Sequence, residues 1–144
     1  MWDATPEITR AVTIKADRFP SPDPVFACSR GECKRADFII VADTGRKRII
    51  LCIEMKATNA QDKGIIQQLK GAQCFVGYCR EVGRLFWQAR NFLGDYQYRF
   101  VSISHIGASK ARTRIAGPKV IHDKPENMFR IPRPGQRLEF KHLV

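Results

Sequence analysis

Asp37, Glu54 and Lys56 are the residues whose types and spacing most suggest chemistry in this chain. Asp37 directly precedes Phe38-Ile39-Ile40-Val41-Ala42, and Glu54 directly follows Ile49-Ile50-Leu51-Cys52-Ile53. Both runs are short, apolar and rich in β-branched residues, as buried strands are. Between them, Asp43-Thr44-Gly45-Arg46-Lys47 has the composition of a turn. With Thr44 to Lys47 as a four-residue hairpin loop, Asp43 pairs with Arg48, and counting back along the ladder brings Asp37 opposite Glu54. Lys56, two residues on, shares their face of the sheet. Two facing carboxylates with Cβ atoms about 5 Å apart repel each other, and beside a buried sheet they call for a cation. Oxygen ligands of this kind suit Mg²⁺ or Mn²⁺. Such an ion serves phosphodiester hydrolysis by binding a phosphate oxygen and acidifying a bound water. Lys56 would then orient the water or offset charge on phosphorus. A rival reading makes Asp37 and Glu54 strand-end residues paired with Lys56 or Arg35, and a register shifted by one residue would turn Asp37 to the other face.

The elements that must hold these residues follow from periodicity. Ile65, Leu69, Ala72, Val76 and Cys79 recur at helical spacing and predict a helix from Asp62 to Val82, with Asp62 as N-cap and Gly83 as its stop. At about 100° per residue, Gln68 falls within the stripe of Ile65, Ala72 and Phe75, whereas Gln67 points away. Gln68 thus either reaches the site or is satisfied by a backbone carbonyl in the core. Tyr98 to Ile106 predicts another strand ending at Gly107, so that strand, helix and strand form a right-handed crossover onto a parallel neighbour. Earlier, Ala11 to Lys15 suggests a short strand, and Pro20, Pro22 and Pro24 make Phe19 to Val25 a loop. Leu85 to Leu93 fits helix and strand equally. Beyond Gly107 the pattern predicts a basic segment (Lys110, Arg112, Arg114), a strand near Val120, and a hairpin with arms Met128 to Ile131 and Arg137 to Phe140.

Arg35-Ala36-Asp37-Phe38-Ile39-Ile40, then Cys52-Ile53-Glu54-Met55-Lys56, then a helix opening with Gln67-Gln68-Leu69 resembles the PD-(D/E)XK nuclease superfamily. The resemblance covers about residues 34 to 106, within a single domain spanning 1–144 whose basic extension is 107–144. It implies an α/β fold with a restriction-endonuclease-like core, a mixed central β-sheet flanked by helices. It further implies Asp37, Glu54 and the Met55 carbonyl as ligands of Mg²⁺ or Mn²⁺, Lys56 as the catalytic lysine, and DNA as substrate. Ala36 stands where the name motif has proline. RecB-like exonuclease branches carry Gln-Leu-x-x-Tyr on the helix; Gln68-Leu69 matches it, while Ala72 replaces the tyrosine. Members with a further acidic ligand on an earlier helix would find it here in Glu7 or Glu32. A different class of function is a catalytically silent nucleic-acid-binding or assembly module with the same fold. A third is a metal-free basic domain contacting protein or RNA.

Charge points to a polyanionic partner. The chain carries a net +11, of which residues 99 to 144 supply +7, from ten Lys/Arg against three Asp/Glu. Such a balance suits phosphate backbones, with gain from counterion release, and also an anionic membrane surface. With 44% apolar and 27% charged residues the composition is globular, not disordered. No apolar run reaches the roughly 20 residues of a membrane span, and the Met1-Trp2-Asp3 start is unlike a signal peptide, so a cytoplasmic location without membrane attachment is expected. Cutting both strands of a duplex would favour a homodimer. The five cysteines include no C-x-x-C. Cys28/Cys33 and Cys74/Cys79 have the spacing of two half-sites for zinc, but an odd count and apolar settings favour free structural thiols. His105, His122 and His142 are isolated, and His105 at a strand end is expected to be structural or near the substrate.

Overall fold

The computed structural model describes residues 10–58, 60–106, 116–132, 134 and 138–144. Five strands form one mixed sheet in sequence order: β1 (Arg10–Lys15), β2 (Phe38–Asp43), β3 (Arg48–Lys56), β4 (Gln97–Ser104) and β5 (Phe129–Pro132). β1, β2 and β3 are antiparallel neighbours, whereas β4 and β5 add in parallel. The chain crosses from β3 to β4 through the helix α1 (Asp62–Phe86).

The β2–β3 turn fixes the register. Asp43 pairs with Arg48 and Phe38 with Ile53, as the four-residue loop requires. Gly45 takes a φ of 78° there and donates its amide to Asp43 Oδ1 at 2.8 Å, while Thr44 Oγ1 accepts from the Lys47 amide at 2.9 Å. A side chain at Gly45 would strain this left-handed position.

Each face of the sheet has its own core. On one, Ile39, Ile50, Cys52 and Phe100 pack under Ile65, Leu69, Ala72 and Val76 of α1. The helical stripe is the one expected from periodicity, except that Cys79 is only partly buried. Burying each large aliphatic side chain here contributes about 1.5–3 kcal/mol. The opposite face, with Ile49, Leu51, Ile53, Val101 and Ile131, is covered by the C-terminal segment, in which Leu143 is buried and Leu138, Phe140 and Val144 partly so. Helices therefore do not flank both faces: among the described residues α1 covers one and the C-terminal segment the other. The sheet also reaches past residues 34 to 106 on both sides, since β1 precedes that stretch and β5 follows it.

Several boundaries differ from expectation. α1 runs through Gly83 to Phe86, and Gln61, not Asp62, occupies the N-cap position without a side-chain bond. Gly83 is buried, and a Cβ there would meet the Phe92 ring at 2.4 Å, so it serves close packing and not termination. Within 85–93, Leu85 and Phe86 complete the helix and a loop follows, with Gln88 and Leu93 at positive φ. Val120 is in a bend and exposed, not in a strand. Among the described residues β5 pairs in parallel with β4 and Phe140–His142 form a 3₁₀ turn, not the second arm of the expected hairpin, whose Arg137 lies outside the described residues. Leu138 and Phe140 pack onto the sheet face instead of pairing edge to edge.

Candidate functional site

Asp37 is placed from three directions. Its carbonyl accepts the Ala16 amide at 2.9 Å, just past β1. Ala36 before it is fully buried. The adjoining Lys34–Arg35 backbone presses on α1 at Gly71, where a Cβ would lie 1.9 Å from the Lys34 carbonyl oxygen. Only glycine at position 71 lets that segment come so close.

The β2–β3 ladder, extended one rung beyond Phe38 and Ile53, sets Asp37 against Glu54. Side chains alternate between faces, and Ile39, Ile50 and Cys52 face α1. Asp37, Glu54 and Lys56 therefore share the α1 face. Asp37 Oδ2 accepts the Met55 amide at 2.7 Å, continuing the hairpin with a side chain in place of a carbonyl. Glu54 is 1% exposed, and Lys56 Nζ stands 2.5 Å from its Oε1. The second oxygen, Oε2, is buried without a hydrogen-bond partner. Burial chiefly raises the Glu54 pKa above its ordinary 4.5; the Lys56 contact lowers it and the Asp37 charge raises it. A buried carboxylate with an unmatched oxygen beside a second carboxylate is suited to a cation.

Asp37 and Glu54 could thus hold a divalent ion with the oxygen set that Mg²⁺ and Mn²⁺ take. No third acidic side chain joins them: among the described residues no cluster of three or more His, Cys, Asp or Glu is present. Glu32 instead accepts the Arg30 amide at 2.7 Å within its own loop and is exposed. Glu7 lies outside the described residues, as do Lys110, Arg112 and Arg114. Met55 is half-buried, its amide taken by Asp37.

Lys56 opens onto a cavity of about 490 Å³ shared with Gln68, Gln67, Lys34 and Lys63. Gln68 thus lies beside the catalytic-lysine candidate. Gln67 does turn off the core stripe, but it is not idle. Its Oε1 accepts from Lys34 Nζ and its Nε2 donates to the Arg30 carbonyl, both at 2.8 Å. A loop occupies the flank that periodicity alone leaves empty. That loop contains a Cys28–Cys33 disulfide, so these two cysteines are neither free thiols nor half of a zinc site. Of the remaining three, Cys52 is buried with its thiol pushed up to about 12 by burial, a poor metal ligand at neutral pH.

The histidines stand apart. His105 follows β4 at a φ of 55°, and His122 is buried on the far face, where its Nε2 meets the Leu143 carbonyl at 2.7 Å. Because that carbonyl only accepts, Nε2 carries the proton. Among the described residues no helix is long and apolar enough to cross a membrane. In comparisons with protein-family models, curated proteins and solved structures, none matches the chain.

Proposed function

We propose that the protein is a metal-dependent nuclease of the PD-(D/E)XK kind, with a restriction-endonuclease-like core and with DNA as substrate. The observation that carries this reading is the buried Glu54, set against Asp37 on one sheet face with an unmatched Oε2 and with Lys56 in contact. An antiparallel hairpin followed by a helical crossover to a parallel strand supports it further, as does the net charge of +11.

In this reading Asp37 and Glu54, with the Met55 carbonyl, hold Mg²⁺ or Mn²⁺. When bound, the ion supplies Lewis acidity to a phosphate oxygen and a water of lowered pKa. The chain's own residues do the rest. Lys56 leaves Glu54 to face the phosphate, where its ammonium offsets charge building on the non-bridging oxygens. Gln68, on the wall of the same cavity, orients the strand or the water by hydrogen bonding. The hydrophobic core beneath Glu54 excludes bulk water from one side, which strengthens each of these interactions. Lys110, Arg112 and Arg114 contribute backbone contacts. RNA as substrate and a homodimer acting on two strands belong to the same proposal.

The closed Glu54–Lys56 pair favours a second reading, a nucleic-acid-binding module without catalysis. One experiment separates the two: incubation with circular and linear DNA in Mg²⁺, Mn²⁺ or EDTA. Cleavage that needs the metal is expected. Asp37→Ala and Glu54→Ala should each lower it at least about a hundredfold and weaken Mn²⁺ binding. Lys56→Ala should stop cleavage yet still bind Mn²⁺, since it frees Glu54 Oε1. Absence of cleavage in every metal, with DNA binding intact, would leave the binding module.

A further inference from the structure

The cavity beside Lys56 has walls that the acidic pair does not need. One is the loop closed by Cys28–Cys33, which contributes Ser29 and Gly31, with Lys34 directly after it; the other is the first turns of α1, with Lys63, Gly64, Gln67 and Gln68. Three lysines and no carboxylate line it among the described residues. The nearest acid on the helix, Asp62, is already paired with Arg130 at 2.8 Å. Lys34 is fixed by its bond to Gln67, and its ammonium lies over the first turn of α1, 3.9 Å from where a Cβ on Gly64 would sit. Gln67 ties the same loop through the Arg30 carbonyl. The wall is therefore held in place before any ligand arrives, and the charged side chains that a ligand meets there are all cationic.

We propose that this cavity is a phosphate subsite for the nucleic-acid strand, binding a backbone phosphate next to the one at Asp37 and Glu54, with Lys34 and Lys63 as its cations. This rests on the nuclease reading for the position of the scissile bond, though not for the charge of the cavity. Lys63 holds the ligand by charge from the helix side, and Lys34 does so from the loop side. The volume, about 490 Å³, accommodates a phosphate with its sugar, and a continuous strand gains over a mononucleotide by reaching this cavity and the position at Asp37 and Glu54 together.

Anisotropy titrations of the full chain with a labelled single-stranded oligonucleotide in EDTA test this without cleavage. Neutralising one phosphate contact should reduce the slope of log K against log salt by about 0.7 and affinity about fivefold at 0.1 M salt. Lys63→Gln is expected to show both, and Lys63→Arg to restore them. Lys34→Gln should do the same, whereas Gln67→Leu, which loosens the loop but leaves its charge, should keep the slope. Wild-type affinity and slope in Lys63→Gln would overturn the subsite, as would a mononucleotide binding as tightly as the oligonucleotide. Metal-dependent cleavage is read separately: its absence alongside a lysine-dependent slope would sink the catalytic reading and leave the subsite standing.

Discussion

At the scale of single residues, Glu54 is a carboxylate almost wholly removed from water. Burial chiefly raises its pKa, so the folded protein keeps a proton there to a higher pH than the unfolded chain, whose carboxyl titrates near 4.5. The sign follows from linkage: stability from the protonated form is complete below 4.5 and is lost as pH rises through the folded pKa. In metal-free buffer, the melting temperature of the wild type should therefore drop relative to that of Glu54→Gln as pH is raised from 4 towards 8. A difference that stays constant over this range would mean that Glu54 is not perturbed. Adding Mn²⁺ should oppose the loss at the upper end, since a cation bound only to the native state stabilises it. The facing of Asp37 and Glu54 was readable from the sequence because a short turn with one glycine sets the register. What the sequence concealed were engagements of side chains with distant backbone: Asp37 on the Met55 amide, and Gln67 on the Arg30 carbonyl. Neither leaves a periodic trace.

Among the elements, the contact between α1 and the segment ahead of β2 sets how near the helix comes to the acidic pair. Gly71→Ala would put a methyl carbon 1.9 Å from the Lys34 carbonyl oxygen, and because backbone lies on both sides, the helix must back away. A loss of about 2 kcal/mol or more is expected in urea unfolding, together with weaker cleavage. Gly83→Ala meets the Phe92 side chain, its ring at 2.4 Å and its Cβ at 2.7 Å, rather than a backbone carbonyl, and should cost less. If Gly71→Ala is the milder of the two, the backbone approach is not the constraint described. The stripe of α1 was visible as a 3.6-residue rhythm. These glycines were not, because glycine at a close approach and glycine at a helix end look alike in a sequence.

Across the whole molecule, the C-terminal segment closes the second face of the sheet, and His122 is its clasp. The ring is buried against Phe129 and donates to the Leu143 carbonyl, while Nδ1 has no partner. Burial lowers its pKa from the ordinary 6.5. Neutral His122 thus supports the fold fully above 6.5, and that support is lost as pH falls from there through the folded pKa. Hydrogen exchange at the amides of 140–144 should accelerate over that interval in the wild type. His122→Gln should remove the pH dependence; its persistence in that variant would assign the effect elsewhere. This architecture was the part least readable beforehand. Arg137 to Phe140 has the alternation of a strand, yet what decided the place of Leu138 and Phe140 was an uncovered apolar sheet face, a property of the assembled fold.

The order of the strands along the chain also has a consequence in time. β2 and β3 are joined by four residues, whereas β3 reaches β4 only after the whole of α1 has been laid down. Hairpins close in about 1–10 μs, and pairings between distant segments wait on costlier loop closure. The two acids are thus expected to come face to face through the most local pairing in the sheet, ahead of the docking of α1 and the closing of the lysine-lined wall. Ile39→Val, at the hairpin, should slow refolding, and Val101→Ala, in β4, should chiefly hasten unfolding. Chevron plots with those two responses exchanged would reverse the sequence of events.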